Sequence, residues 1–200
     1  SVFAMQLGLA ALWNQAGLVP TAVVGHSMGE VAAAAVCGAL TLEEACTVLF
    51  ERSRLMQESS GHGRMTLVRA PLGDVERLAM AHDVEIATIN NPEAIVVAGS
   101  PGRIAALSEA AAREGISVRD LGVDYAFHSS QMDPYCARLE SALDHLRPRA
   151  GHIPMVSTVE GRVVEGSTLT AAYWVRNMRE RVRFGDAIEA LLCQHHRTFV

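Results

Sequence analysis

Lysine is missing from this chain: all 17 basic residues among its 200 are arginines, a pattern read as coding bias. Without a side-chain amine, Schiff-base catalysis is closed to it. Positive charge is also in deficit. Against 22 acidic residues the formal net charge is −5, which leaves no electrostatic footprint for nucleic acid or for an anionic membrane surface. Cysteine is sparse, and Cys37, Cys46, Cys136 and Cys193 show no Cys-x-x-Cys spacing. They read as reduced thiols of a cytoplasmic protein. Cys193-x-His195-His196 lacks a complementary pair of ligands elsewhere, so no metal is expected. Long apolar runs are missing as well: the stretch from Val31 to Leu42 is too short to cross a bilayer and reads as a buried helix. Ser1-Val-Phe-Ala-Met-Gln-Leu lacks the charged start of a signal peptide and reads as a helix already under way. Arg197-Thr-Phe-Val200 reads as the start of a buried strand, so the chain is expected to begin and end within a domain.

Half of the residues are apolar, enough for one domain of moderate size with a small inserted unit. The organising stretch is Ala22-Val23-Val24-Gly25-His26-Ser27-Met28-Gly29-Glu30. A β-branched run breaks at Ser27 into an alanine-rich helix. The two glycines of Gly-x-Ser-x-Gly let a serine occupy a tight turn with its hydroxyl uncrowded. The following helix points its free N–H groups at that turn, where an oxyanion would be stabilised.

Around this elbow, residues 2 to 16 place apolar side chains at helical spacing, with Trp13 and Trp174 both expected in the core. Thr41-Leu-Glu-Glu44 has the form of a capping box opening a helix to about Gln57. From Arg64 the pattern changes to short units in the order βαββαβ, ending near Leu121, the arrangement of a ferredoxin-like split unit. Asp133 is expected as an N-cap with Pro134 at the first helical position. A strand from Ile153 to Thr158, a hairpin, and helices over 170–178 and 184–195 follow. The expected class is α/β: an α/β-hydrolase-like core in two parts, residues 1–61 and 124–200, around a ferredoxin-like insertion at 62–123.

A serine hydroxyl needs a base. Of eight histidines, His128 stands out because a loop flanked by Phe127 and Ser129 can present its ring to a cleft. From the residues alone, His26, His62, His82, His145, His152, His195 and His196 stay open, with His26 better suited to packing or hydrogen bonding.

Gly25-His26-Ser27-Met28-Gly29-Glu30, Arg52-Ser53, the βαββαβ unit, Tyr125-Ala126-Phe127-His128-Ser129 and the stretch from Tyr173-Trp174-Val175-Arg176-Asn177 through Phe184 together resemble the acyltransferase domain of type I polyketide synthases. Malonyl-CoA:acyl carrier protein transacylases are more distant relatives. The similarity covers essentially the whole chain in the family's order. The family's Gly-Gln-Gly segment, which supplies one oxyanion N–H, and its Gly-Pro-His-like turn have no counterpart here.

The resemblance implies a Ser-His pair without a third carboxylate: Ser27 attacks an acyl-CoA thioester, His128 moves the proton, and the Met28 N–H meets the oxyanion. Arg52 matches the arginine that grips the free carboxylate of a malonyl-type unit through a planar fork. Tyr125-Ala-Phe-His128 mixes the tetrads of malonyl and methylmalonyl enzymes. Phe127 fills the space an α-methyl group needs, so malonyl-CoA is favoured over methylmalonyl-CoA. No cofactor is implied beyond the acyl-CoA substrate and the phosphopantetheine of an acyl carrier protein. The other implied partners are neighbouring domains of a polyketide synthase. Arg176, Arg179, Arg181 and Arg183 form a basic cluster that could meet an acidic carrier, although such a run is more often a solvated face or a set of internal ion pairs. Two other readings stand beside this one: a serine hydrolase with the order Ser, Asp, His, and an inactive scaffold domain of a multienzyme.

Overall fold

The structure, a computed structural model, describes residues 1–200. Two sheets organise the chain. The first is formed by β1 (Val23–Val24), β6 (Met155–Ser157) and β7 (Arg162–Val164), with β1 parallel to β6 and β6 antiparallel to β7. The helices of this part are α1 (Val2–Gln15), α2 (Gly29–Val36), α3 (Leu42–Glu58), α6 (Asp133–Ala142), α7 (Ala171–Arg179) and α8 (Phe184–Cys193). Thr41 and Glu44 do form a reciprocal capping box at the start of α3, which satisfies two N–H groups that the first turn leaves free.

The second part follows the βαββαβ order: β2 (Arg64–Arg69), α4 (Leu72–His82), β3 (Glu85–Asn91), β4 (Ala94–Gly99), α5 (Pro101–Arg113) and β5 (Ser117–Asp120). Its sheet has the order β3-β4-β2-β5, antiparallel throughout. Because side chains alternate across a strand, its two faces enter different cores. Val68, Ile95 and Val97 pack with Val75, Leu78, Ile104 and Leu107 of α4 and α5. Met65, Val96 and Ala98 face the other way into the main core beside Phe127, Trp174 and Met178. Backbone bonds add to this seam: the Val182 N–H donates to Ala87 and the Ile89 N–H to Val182. The second sheet thus forms one wall of a crevice whose opposite wall carries the Ser27 turn.

Three expectations are corrected. Trp174 is fully buried, but Trp13 is 41% exposed, because α1 buries none of its residues. Residues 197–200 form no strand, and Phe199 and Val200 are exposed, since no strand of this chain pairs with them. Asp133 is not an N-cap: a short 3-10 turn over Ser130–Met132 leads into α6, so Asp133 is already helical and its carboxylate turns to Arg179. Of the two readings of the basic cluster, internal ion pairing holds for three of its four arginines. Arg176 pairs with Glu160 and Glu180, Arg179 with Glu85 and Asp133, and Arg183 with Asp186, which leaves Arg181 alone without an ion pair.

Candidate functional site

Ser27 sits between β1 and α2 with φ +54°, the left-handed conformation that a side chain adopts at a cost. The flanking glycines make the turn possible: a Cβ on Gly25 would lie 2.2 Å from the backbone carbon of Gly29. Met28, next in line, has an N–H that donates to no backbone or side-chain acceptor. It lies at the N-terminus of α2, where an anion is favoured.

His128 also has positive φ, +59°. Its Nε2 lies 2.8 Å from the Ser27 Oγ. Its Nδ1 lies 2.8 Å from the carbonyl oxygen of Glu180, at the C-terminal end of α7. A carbonyl only accepts, so Nδ1 carries the proton and Nε2 is left to accept from the serine hydroxyl. Burial, then the nearby charges of Arg52 and His26, push the imidazole down to about 3, against the carbonyl bond that favours its charged form. At neutral pH it is a neutral base. The pair is thus bracketed by the positive end of one helix and the negative end of another, suited to an oxyanion beside Ser27 and an imidazolium at His128.

The crevice, about 320 Å³, is lined by Ser27, His128, His26 and Asn90 on its polar side, and by Met65, Leu67, Val96, Leu121 and Phe127 on its apolar side. Tyr125 stands behind Phe127, with ring centroids 4.4 Å apart, and braces it. His26 packs on Phe184 and bonds Asn90 at 2.8 Å, the packing and hydrogen-bonding role its position implied.

Arg52 does not line the crevice. It lies just behind it on α3, 1% exposed, while its neighbour Glu51 pairs with Arg54 instead. One Arg52 Nη donates to the Asn177 Oδ1, and the buried Nε finds no acceptor. Burial holds the guanidinium down at about 10, with the charge of Glu30 opposing, so it stays a cation at neutral pH. An unpaired N–H of this kind costs about 1–3 kcal/mol, which leaves a donor without an intramolecular partner.

Glu30 and Asn177 escaped the sequence reading, as did which backbone carbonyl orients His128. Glu30 is fully buried and lies against Tyr173 Oη (2.6 Å), Asn177 Nδ2 (2.7 Å), Thr158 Oγ1 (2.9 Å) and the Thr158 N–H. Burial raises its carboxyl above the usual range, against these hydrogen bonds. A signal was available, since Tyr173 and Asn177 stand one helical turn apart in a motif already singled out. No group of three or more His, Cys, Asp or Glu side chains is placed to hold a metal ion, and no helix is long and apolar enough to cross a membrane.

The chain matches the family described as acyl transferase domain over residues 1–200. It is 45% identical over 203 residues to erythronolide synthase EryA2 of Saccharopolyspora erythraea, covering 100% of this chain and 6% of that protein. It is 43% identical over 202 residues to the spectinabilin polyketide synthase system protein NorA' of Streptomyces orinoci, with the same coverage of 100% and 6%. Both relatives are far longer than the span the chain matches. The acyltransferase domain from module 8 of the salinomycin polyketide synthase shares its mixed α/β fold with a TM-score of 0.93 at 40% identity, covering 96% of this chain and 46% of that one. By this match along its whole length, the chain belongs to the acyl transferase domain family.

Proposed function

We propose that this domain loads a malonyl-type unit from CoA onto the phosphopantetheine thiol of an acyl carrier protein, within a polyketide synthase, through an acyl-Ser27 intermediate. Ser27 Oγ attacks the thioester carbonyl as His128 Nε2 takes its proton. The oxyanion meets the Met28 N–H. The C–S bond then breaks, and His128 returns the proton to the departing CoA thiolate. The second half runs in reverse: His128 deprotonates the carrier thiol, which attacks the acyl ester and releases Ser27. Arg52 holds the distal carboxylate, which supplies the acceptor its Nε lacks. Phe127, braced by Tyr125, narrows the crevice where an α-methyl group would sit and favours malonyl over methylmalonyl. In this reading residues 1–61 and 124–200 form an α/β-hydrolase-like core, and residues 62–123 a ferredoxin-like subdomain that closes over it.

The observation that carries the reading is a 2.8 Å serine-histidine pair with a buried guanidinium, free of any direct ion pair, one amide away. A hydrolase triad fits less well, since a backbone carbonyl occupies the place of its carboxylate. The test is intact-protein mass spectrometry after incubation with malonyl-, methylmalonyl- or acetyl-CoA, followed by carrier protein, with Ser27→Ala as control. A malonyl adduct that persists and then moves to the carrier is expected. Rapid loss to water, or no Ser27-dependent adduct, would overturn the proposal.

A further inference from the structure

Glu30 and Arg52 are both buried and close enough to influence each other electrostatically, yet they form no direct ion pair. Asn177 stands between them. Its Oδ1 accepts from Arg52, and its Nδ2 donates to Glu30 at 2.7 Å and approaches the Ser27 carbonyl oxygen at 3.4 Å. The amide orientation follows from its neighbours, because a guanidinium has only donors and the Glu30 oxygens accept here. Asparagine meets both demands with a neutral side chain. An aspartate at this place would meet Arg52 equally well but would neutralise it.

We propose that Asn177 is a positioning residue that sets the charge class of the acyl group: it fixes the Arg52 head group beside the Ser27 turn with a neutral acceptor, leaving the cation's charge for the substrate's carboxylate. This rests on the reading that Arg52 grips that carboxylate. Glu30, braced by Tyr173 and Thr158, orients the amide from behind. A carboxylate-free acyl group does not need this arrangement. The role of Asn177 is therefore selective between substrates, whereas a purely structural role would affect all acyl groups alike.

The test compares malonyl with acetyl loading in purified protein, by kcat/KM for each CoA. Asn177→Asp moves a carboxylate onto Arg52 and is expected to lower malonyl loading relative to acetyl loading by about tenfold or more, chiefly through KM. Because two adjacent carboxyl groups could upset folding, the double variant Glu30→Gln with Asn177→Asp serves as the second arm. It keeps one carboxyl and one amide in the cluster and only exchanges which of them faces Arg52, and the same loss of malonyl preference is expected. Equal losses for both substrates, or an unchanged ratio in the folded double variant, would overturn the inference. Arg52→Ala separates the two layers: if it leaves the malonyl-to-acetyl ratio unchanged, the reading of Arg52 fails; if it collapses the ratio while the Asn177 variants do not, only the role of Asn177 fails.

Discussion

The His128 Nδ1–H donates to the backbone carbonyl oxygen of Glu180 across 2.8 Å. The group that sets the tautomer of the base is therefore main chain, supplied by the residue that closes α7. That end of the helix carries partial negative charge, which would stabilise an imidazolium in the proposed half-reactions.

A contrast between two substitutions follows. His128→Gln removes the base and is expected to slow Ser27 acylation by about 10²–10⁴-fold. Glu180→Ala keeps the carbonyl and loses only the surface pair with Arg176, so acylation should stay within a few-fold of the parent. Single-turnover loading rates check both, and a Glu180→Ala defect as deep as that of His128→Gln would mean that the carboxylate, not the carbonyl, orients the ring.

The pH dependence has a definite sign. His128 titrates near 3 in the folded protein, against an ordinary value of 6.5. Between those limits the unfolded chain binds a proton that the native state does not, so stability is full above about 6.5 and falls as pH drops toward 3, by up to about 1.4 kcal/mol per pH unit. Glu30, whose carboxyl is raised, acts in the opposite direction. Subtracting the His128→Gln stability curve isolates the histidine, and a flat difference between pH 6 and pH 4 would contradict the assignment. Acylation in short assays should keep its base functional well below pH 6.5.

Phe127 faces the crevice together with Leu121 and Val96. Phe127→Ser opens space beside the acyl chain and is expected to raise methylmalonyl relative to malonyl loading on the order of tenfold, the scale of one methyl group in a pocket. Competition between equal concentrations of the two CoA esters, read by adduct mass, checks this; no change in ratio would place selectivity elsewhere.

Tyr173 places its hydroxyl 2.6 Å from Glu30 and 2.7 Å from Ser157. Tyr173→Phe leaves a buried carboxyl short of one donor and should cost about 1.5–3 kcal/mol. Denaturant midpoints measure it, and a loss below ~0.5 kcal/mol would show that Asn177 and Thr158 satisfy Glu30 unaided.

The local parts of this protein were readable from its residues, because each is governed by neighbours a few positions away. The turn at Ser27 follows from two glycines that must nearly touch, the start of α3 from a reciprocal cap, and the βαββαβ order from alternation and turn residues. The pairing of Ser27 with His128 was less determined: eight histidines competed, the loop around His128 favoured it, and the family resemblance strengthened the choice. Tertiary structure decided the rest. Trp13, Phe199 and Val200 are apolar yet exposed, since hydrophobicity states a preference for burial but cannot supply the surface that covers it. Arg176, Arg179 and Arg183 look like a free basic stripe in the chain, and folding pairs them with acids up to 94 positions away. Glu30, Arg52 and Asn177, the outer two 147 positions apart, meet only because α2, α3 and α7 converge. A buried charge takes its meaning from what solvates it, and that is set by packing rather than by order along the chain.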